Sequence, residues 1–93
     1  MAREVYLKQE RQEKSLKDIL SDFDFFEDKR YDQITVKYLD KWIWIFYYPN
    51  HYANANLVVV EFSKDFYDNE ISDFVEKLQE KGLTIDEGMG GEE

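Results

Sequence analysis

Few side chains in this 93-residue chain have the type and spacing for chemistry, and each set points away from catalysis. His51 is the sole histidine, so any Ser-His-Asp arrangement would have to be built on it. It sits in the polar stretch 49–56 with no nucleophile motif beside it, and a role at the surface or in loop packing is the plainer reading. Cysteine is absent, which removes disulfide frameworks, zinc knuckles, thiolate nucleophiles and redox motifs together, and fits a reducing compartment. All four glycines fall in the last dozen residues, so no glycine-rich loop is available to cradle a phosphate.

Carboxylates are plentiful but lack ligand spacing. Asp22-Phe23-Asp24 followed by Glu27 and Asp28 faintly resembles a calcium loop, yet glycine is missing at the sixth position and bulky aromatics intervene. Asp65, Asp68, Glu70 and Asp73 could chelate magnesium, as clusters on acidic surfaces generally can. No catalytic, cofactor-binding or metal-binding residue is assigned, and a chain that works by binding is expected.

The net charge of −9 is unevenly spread. Residues 1–17 and 29–41 each balance at +2, while 18–28 carry Asp18, Asp22, Asp24, Glu27 and Asp28 with no cation. From Glu61 onward eleven acids face only Lys64, Lys77 and Lys81. Direct binding to DNA or RNA is disfavoured, because affinity for phosphates comes mainly from Lys and Arg contacts. Neither a signal peptide nor a spanning segment is expected. The longest apolar run, Trp42 to Tyr48, is far short of the ~20 residues that cross a bilayer, so a cytoplasmic protein is expected, in host cytoplasm if virally encoded.

The elements that position these residues read most clearly at the C-terminal end. Ile71, Phe74, Val75 and Leu78 fall at i, i+3, i+4 and i+7, the apolar stripe of an amphipathic helix. Asp68 or Asn69 can cap it, Glu70 suits its dipole, and Gly82 followed by Leu83 suits a Schellman ending. Asp73, Glu76 and Glu80 share one side of that helix and span about 10 Å at ~1.5 Å per residue. With Asp68 and Glu70 they form an acidic face that could enter a basic groove, in the manner of a nucleic-acid mimic. The bland alternative is a solvated face that keeps the protein dissolved.

The middle of the chain has strand composition. Ile34, Val36 and Tyr38 alternate with polar neighbours, 42–48 are β-branched or aromatic, and Leu57 to Phe62 make a third strand. An Asp40-Lys41 hairpin loop would pair Tyr38 with Ile43, Val36 with Ile45 and Ile34 with Tyr47. Ser15 to Asp18 resembles a capping box, so a helix is expected from about residue 15 to the mid-twenties. Residues 3–14 could extend it or form a strand through Val5 and Leu7. The expected fold is thus α+β: N-terminal helix, three-stranded antiparallel meander and C-terminal amphipathic helix, with Thr84 and Ile85 as a candidate edge strand. It forms one domain over 1–87, followed by a frayed acidic tail at 88–93. That element order also occurs in double-stranded-RNA-binding domains and in some small phage inhibitors of RNA-guided nucleases. The basic cluster opening the last helix of the former is replaced by Asp68, Glu70 and Asp73, no motif is shared with the latter, and element order alone carries no function.

This register makes the sheet apolar on both faces. One face carries Ile34, Val36, Tyr38, Ile43, Ile45, Tyr47, Val58, Val60 and Phe62; the other carries Leu39, Trp42, Trp44, Phe46, Tyr48, Leu57 and Val59. An antiparallel sheet needs only one buried face. Four aromatics on the second face present roughly 600–1,000 Å² of side chain, beyond the ~300–600 Å² patch of a typical monomer. Three covers are open: one helix on each face, a second copy of the chain, or a different protein. Two functions follow: a small acidic inhibitor or regulator of the kind mobile elements encode, binding a basic nucleic-acid-handling protein, or a homodimeric adaptor centred on Trp42, Trp44, Phe46 and Tyr48. A metal-dependent hydrolase is the weakest alternative.

Overall fold

The computed structural model describes residues 3–10, 15–28, 33–52 and 55–86. The expected tail at 88–93 lies outside them, as do residues 11–14 of the ambiguous N-terminal segment. That segment opens as a strand, β1 (Arg3–Glu10), in which Val5, Leu7 and Gln9 face inward and Glu4, Tyr6 and Lys8 face the other way.

Ser15 then starts a helix with the expected capping box. Its hydroxyl accepts from the Asp18 N–H at 3.2 Å, and the Asp18 carboxylate accepts from the Ser15 N–H at 3.4 Å. The helix itself, α1 (Leu16–Ile19), is a single turn that tightens into a 3-10 turn at Leu20–Asp22. It does not run to the mid-twenties. Ser21, Asp22 and Asp24 bond readily to nearby backbone outside helices, and from Asp22 the pattern changes to alternation, with Phe23 and Phe25 packed on the core and Asp24 and Phe26 exposed. Residues 24–28 become a strand, β2 (Asp24–Asp28), paired along its length with β3 (Gln33–Tyr38).

β3 returns through Leu39 and Asp40, whose φ angles of 56° and 61° are the paired left-handed conformations of a type I′ hairpin. The expected Asp40-Lys41 loop is therefore one residue out. In β4 (Lys41–Tyr52) the partners are Tyr38 with Lys41, Val36 with Ile43 and Ile34 with Ile45. A one-residue shift of the loop moves the pairing by two, and two is the side-chain period of a strand, so every residue that stays in a strand keeps its expected face, and only Leu39 leaves for the turn. β4 also continues through the supposed connector to Tyr52, with a break in the ladder between Tyr48 and Tyr52 where Pro49 has no N–H to give. β5 (Ala55–Phe62) pairs back against it.

α2 (Asp68–Glu80) follows, capped from Tyr67, whose N–H donates to the Glu70 carboxylate at 2.9 Å; neither Asp68 nor Asn69 is the cap. Its end is a Schellman motif: Leu83 N–H reaches the Leu78 carbonyl at 3.2 Å and Gly82 N–H reaches Gln79 at 3.0 Å, with Gly82 at φ 111°. β6 (Thr84–Ile85) then pairs with β1.

The sheet is six-stranded in the order β2-β3-β4-β5-β1-β6, antiparallel throughout. This corrects the expected helix, three-stranded meander, helix arrangement: the meander has four strands, and the N-terminal element is a strand on its far side. β2 pairs with its sequence neighbour β3, whereas β1 depends on a distant partner, as when Val5 meets Val60 and Leu7 meets Val58.

The core is one cluster. Leu16, Ile19 and Leu20 join Phe74, Val75 and Leu78 of α2 on Leu7, Ile34, Val36, Ile43, Ile45, Val58, Val60 and Phe62. Phe74 lies at its centre, with ring centroids 5.0 Å from Phe23, 5.1 Å from Tyr38 and 5.8 Å from Phe62. Leu57 and Val59 are buried without belonging to that cluster, since they point to the opposite face. Both helices thus pack on one face of the sheet, and a helix on each face is ruled out for the described residues. Each helix offers a single apolar stripe, and both stripes are spent on the same core.

Candidate protein-binding surface

The face opposite the helices is a ladder of cross-strand rows. The first runs Asp24, Lys37, Trp42; the second runs Phe26, Thr35, Trp44, Glu61, Glu4; the third runs Asp28, Gln33, Phe46, Val59, Tyr6; the fourth runs Tyr48, Leu57, Lys8, Thr84. Aromatic side chains stand on β4, β2 and β1, with small aliphatic residues of β5 sunk between them. Phe26 is 55 %, Trp42 41 % and Tyr48 47 % exposed, whereas Leu57 and Val59 are buried beneath their neighbours. Phe26 and Trp42 meet edge to face at 6.1 Å, and the Lys37 ammonium lies 5.9 Å from the Trp42 ring. Of the residues expected on this face, only Leu39 is out of place, in the hairpin turn.

Height differences across the rows create a shallow depression of about 420 Å³, lined by Glu4, Tyr6, Phe46, Tyr48, His51, Leu57, Val59 and Glu61. Glu4 and Glu61 are direct cross-strand partners on its rim. Like charges placed opposite one another destabilise a sheet, and neither carboxylate has an ion-pair partner among the described residues. Tyr6 donates its hydroxyl to Glu4 at 2.8 Å, and that bond, with the Glu4 charge behind it, pushes the phenol above its ordinary value. His51 stands edge-on to Tyr52 at 4.7 Å, in the irregular part of β4 rather than in a loop. Tyr52 donates to the buried carboxylate of Asp86, which raises the tyrosine, and the Lys8 ammonium lies 5.6 Å from its ring.

The acidic residues expected as a contact face divide into two groups. Asp68 pairs with Arg3, and Glu70 pairs with Lys41 at 2.7 Å while capping α2. The Lys41 bond, then the Tyr67 N–H, hold Glu70 below its usual carboxylate range. These two are engaged within the fold. Asp73, Glu76 and Glu80 are exposed and make no ion pair among the described residues. The outer side of α2 lies across the molecule from the aromatic face, so the two candidate surfaces are separate. The 18–28 acids are partly spent as well: Asp18 caps α1, Glu27 meets Lys17 at 3.1 Å, and Lys81 donates to Asp22, depressing its carboxyl.

A buried polar group on the helix-covered face has little signature in the sequence. Asn56 donates to Gln9 Oε1 at 3.0 Å and to the Tyr47 hydroxyl at 2.8 Å, and Tyr47 donates to Gln9 at 3.2 Å. The only signal was Gln9 continuing the inward alternation of Val5 and Leu7. The carboxylates considered as chelators disperse: Asp65 accepts from Ser63, Asp68 faces Arg3 and Glu70 faces Lys41. Among the described residues no three His, Asp or Glu side chains come together as metal ligands, and no helix is long and apolar enough to cross a membrane. Compared with protein-family models, with curated proteins and with solved structures, the chain matches none.

Proposed function

We propose that this chain is a small acidic protein-binding regulator of the inhibitor type, and that its working surface is the open aromatic face of the sheet. The observation that carries this reading is the placement of both helices on one face, which leaves Phe26, Trp42, Trp44, Phe46 and Tyr48 on the other without cover from the described residues. Contiguous aromatic surface of that extent marks an interaction site, and Trp and Tyr are the residues that dominate interface energetics. The partner is basic, since the chain carries −9 and complementary charge steers encounter and selects partners.

The exposed row Asp73, Glu76 and Glu80 supports a second reading, a nucleic-acid mimic that uses the outer side of α2. A parallel capture from cells of the source organism separates the two, using the natural chain, a Trp42→Ser/Phe26→Ser variant and a D73K/E76K/E80K variant, each checked for folding by circular dichroism. The proposal expects basic proteins held by the natural chain and by the α2 variant but lost by the sheet variant. Capture that survives the sheet variant and fails with the α2 reversal overturns it in favour of the mimic.

A further inference from the structure

We infer that the depression at Glu4 and Glu61 is a subsite for an arginine side chain of the basic partner; this rests on the reading of the aromatic face as the docking surface. Three observations meet at this place. Two carboxylates sit directly opposite on β1 and β5, both on the open face. Aromatic side chains stand around them, Trp44 beside Glu61 in the same row and Tyr6, Phe46 and Tyr48 lining the same depression. No cation of the described chain answers them: Lys8, on the same strand and face as Glu4, is turned to Glu10 at 3.9 Å and lies over the Tyr52 ring.

That combination selects one kind of occupant. An apolar side chain would leave two carboxylates facing buried surface, which is costly. An arginine matches every part, because its planar guanidinium stacks on aromatic rings while its forked N–H donors reach two carboxylate oxygens at once. Lysine supplies the charge without the plane or the fork, so it should bind more weakly. The depression of about 420 Å³ accommodates a single long side chain and part of its backbone. A second copy of this chain is a poor occupant. A two-fold contact centred here would bring two Glu4 and Glu61 pairs into one interface, adding to the repulsion that a cation would relieve.

The test is an amide-shift titration of the ¹⁵N-labelled full chain with three capped tripeptides, Gly-Arg-Gly, Gly-Lys-Gly and the citrulline counterpart, which keeps the arginine shape without its charge. The arginine peptide is expected to move Glu4, Tyr6, Phe46 and Glu61 saturably, the lysine peptide to bind severalfold more weakly, and the citrulline peptide about tenfold more weakly or less. Glu61→Gln and Glu4→Gln are each expected to weaken the arginine peptide, and Glu61 makes no ion pair among the described residues. Equal binding of arginine and citrulline peptides, or full binding by both variants, overturns the inference. So does a shift confined to α2 around Asp73 and Glu80. If the subsite fails this titration while the Trp42→Ser/Phe26→Ser variant still loses the captured basic protein, the arginine assignment alone falls. Retention of that protein by the sheet variant removes the docking surface itself.

Discussion

Replacing Glu61 with glutamine should make this protein more stable, and the size of the gain follows from the sheet register. Glu61 lies directly across from Glu4, and like charges so placed oppose pairing by roughly 0.2–1 kcal/mol. Coulomb's law agrees: two charges about 5 Å apart in water repel by about 0.8 kcal/mol, reduced further by dissolved salt. Glu61 is the residue to change because Glu4 also accepts the Tyr6 hydroxyl, a bond that glutamine would weaken. For a domain of this size about 1 kcal/mol shifts the melting temperature by roughly 4–8 °C, so a rise of a few degrees is expected at low ionic strength. The assay is thermal unfolding by circular dichroism at about 0.01 M and about 1 M salt, where the screening length falls from roughly 30 Å to 3 Å. The gain should shrink strongly at the higher salt. Glu76→Gln serves as the control, since Glu76 is exposed on α2 and makes no ion pair among the described residues. A lower melting temperature for Glu61→Gln, or a rise of equal size at both salt concentrations, would mean that repulsion between Glu4 and Glu61 does not limit stability. A pair of acids that costs stability in the free protein is the kind of local inconsistency expected at a working site.

Further measurements probe the architecture. Phe74→Ala should cost about 3–5 kcal/mol in denaturant unfolding, because the ring is fully buried among Phe23, Tyr38 and Phe62, whereas Phe26→Thr on the open face should cost about 1 kcal/mol or less; similar losses would contradict the two-layer arrangement. Gly82→Ala should destabilise by about 1 kcal/mol or more, since the Schellman turn holds φ at 111° where a Cβ is unwelcome, and an unchanged midpoint would remove that turn as a determinant. Glu70, Asp65 and Asp22 all have carboxyls held below their ordinary values, the first by Lys41, the second by Ser63 and the third by Lys81. A depressed carboxyl contributes stability that is complete above its unfolded value and is lost as pH falls through the folded one. Unfolding midpoints should therefore decline below about pH 4.5, the ordinary value for Glu70, and Lys41→Met should flatten part of that decline; an unaltered pH profile would dismiss the Lys41 pair.

Local chemistry was enough to read several parts of the molecule. The α2 stripe of Ile71, Phe74, Val75 and Leu78, the Gly82-Leu83 ending and the Ser15 capping box depend only on residues within a turn or two of one another, and each appears as the spacing predicts. The two faces of the central strands were legible even though the hairpin loop was misplaced by one residue, because strand side chains repeat every two positions and the loop error moved the pairing by two.

Other features are set by strand partners that lie outside the local pattern. Phe23 has helical spacing from Ile19 and Leu20 and strand spacing from Phe25; pairing of 24–28 with β3 settles the choice in favour of sheet. Arg3 to Glu10 is a charged segment with weak alternation, and it becomes a strand because β5 and β6 flank it on either side. Composition and a period of two are enough to make the central strands apolar on both faces. Which face the helices cover is a matter of long-range packing, and so is the meeting of Glu4 and Glu61 among the aromatics of the open face. Burial is shared between elements that no local pattern relates, so the open face became visible only when both helices were found on the same side.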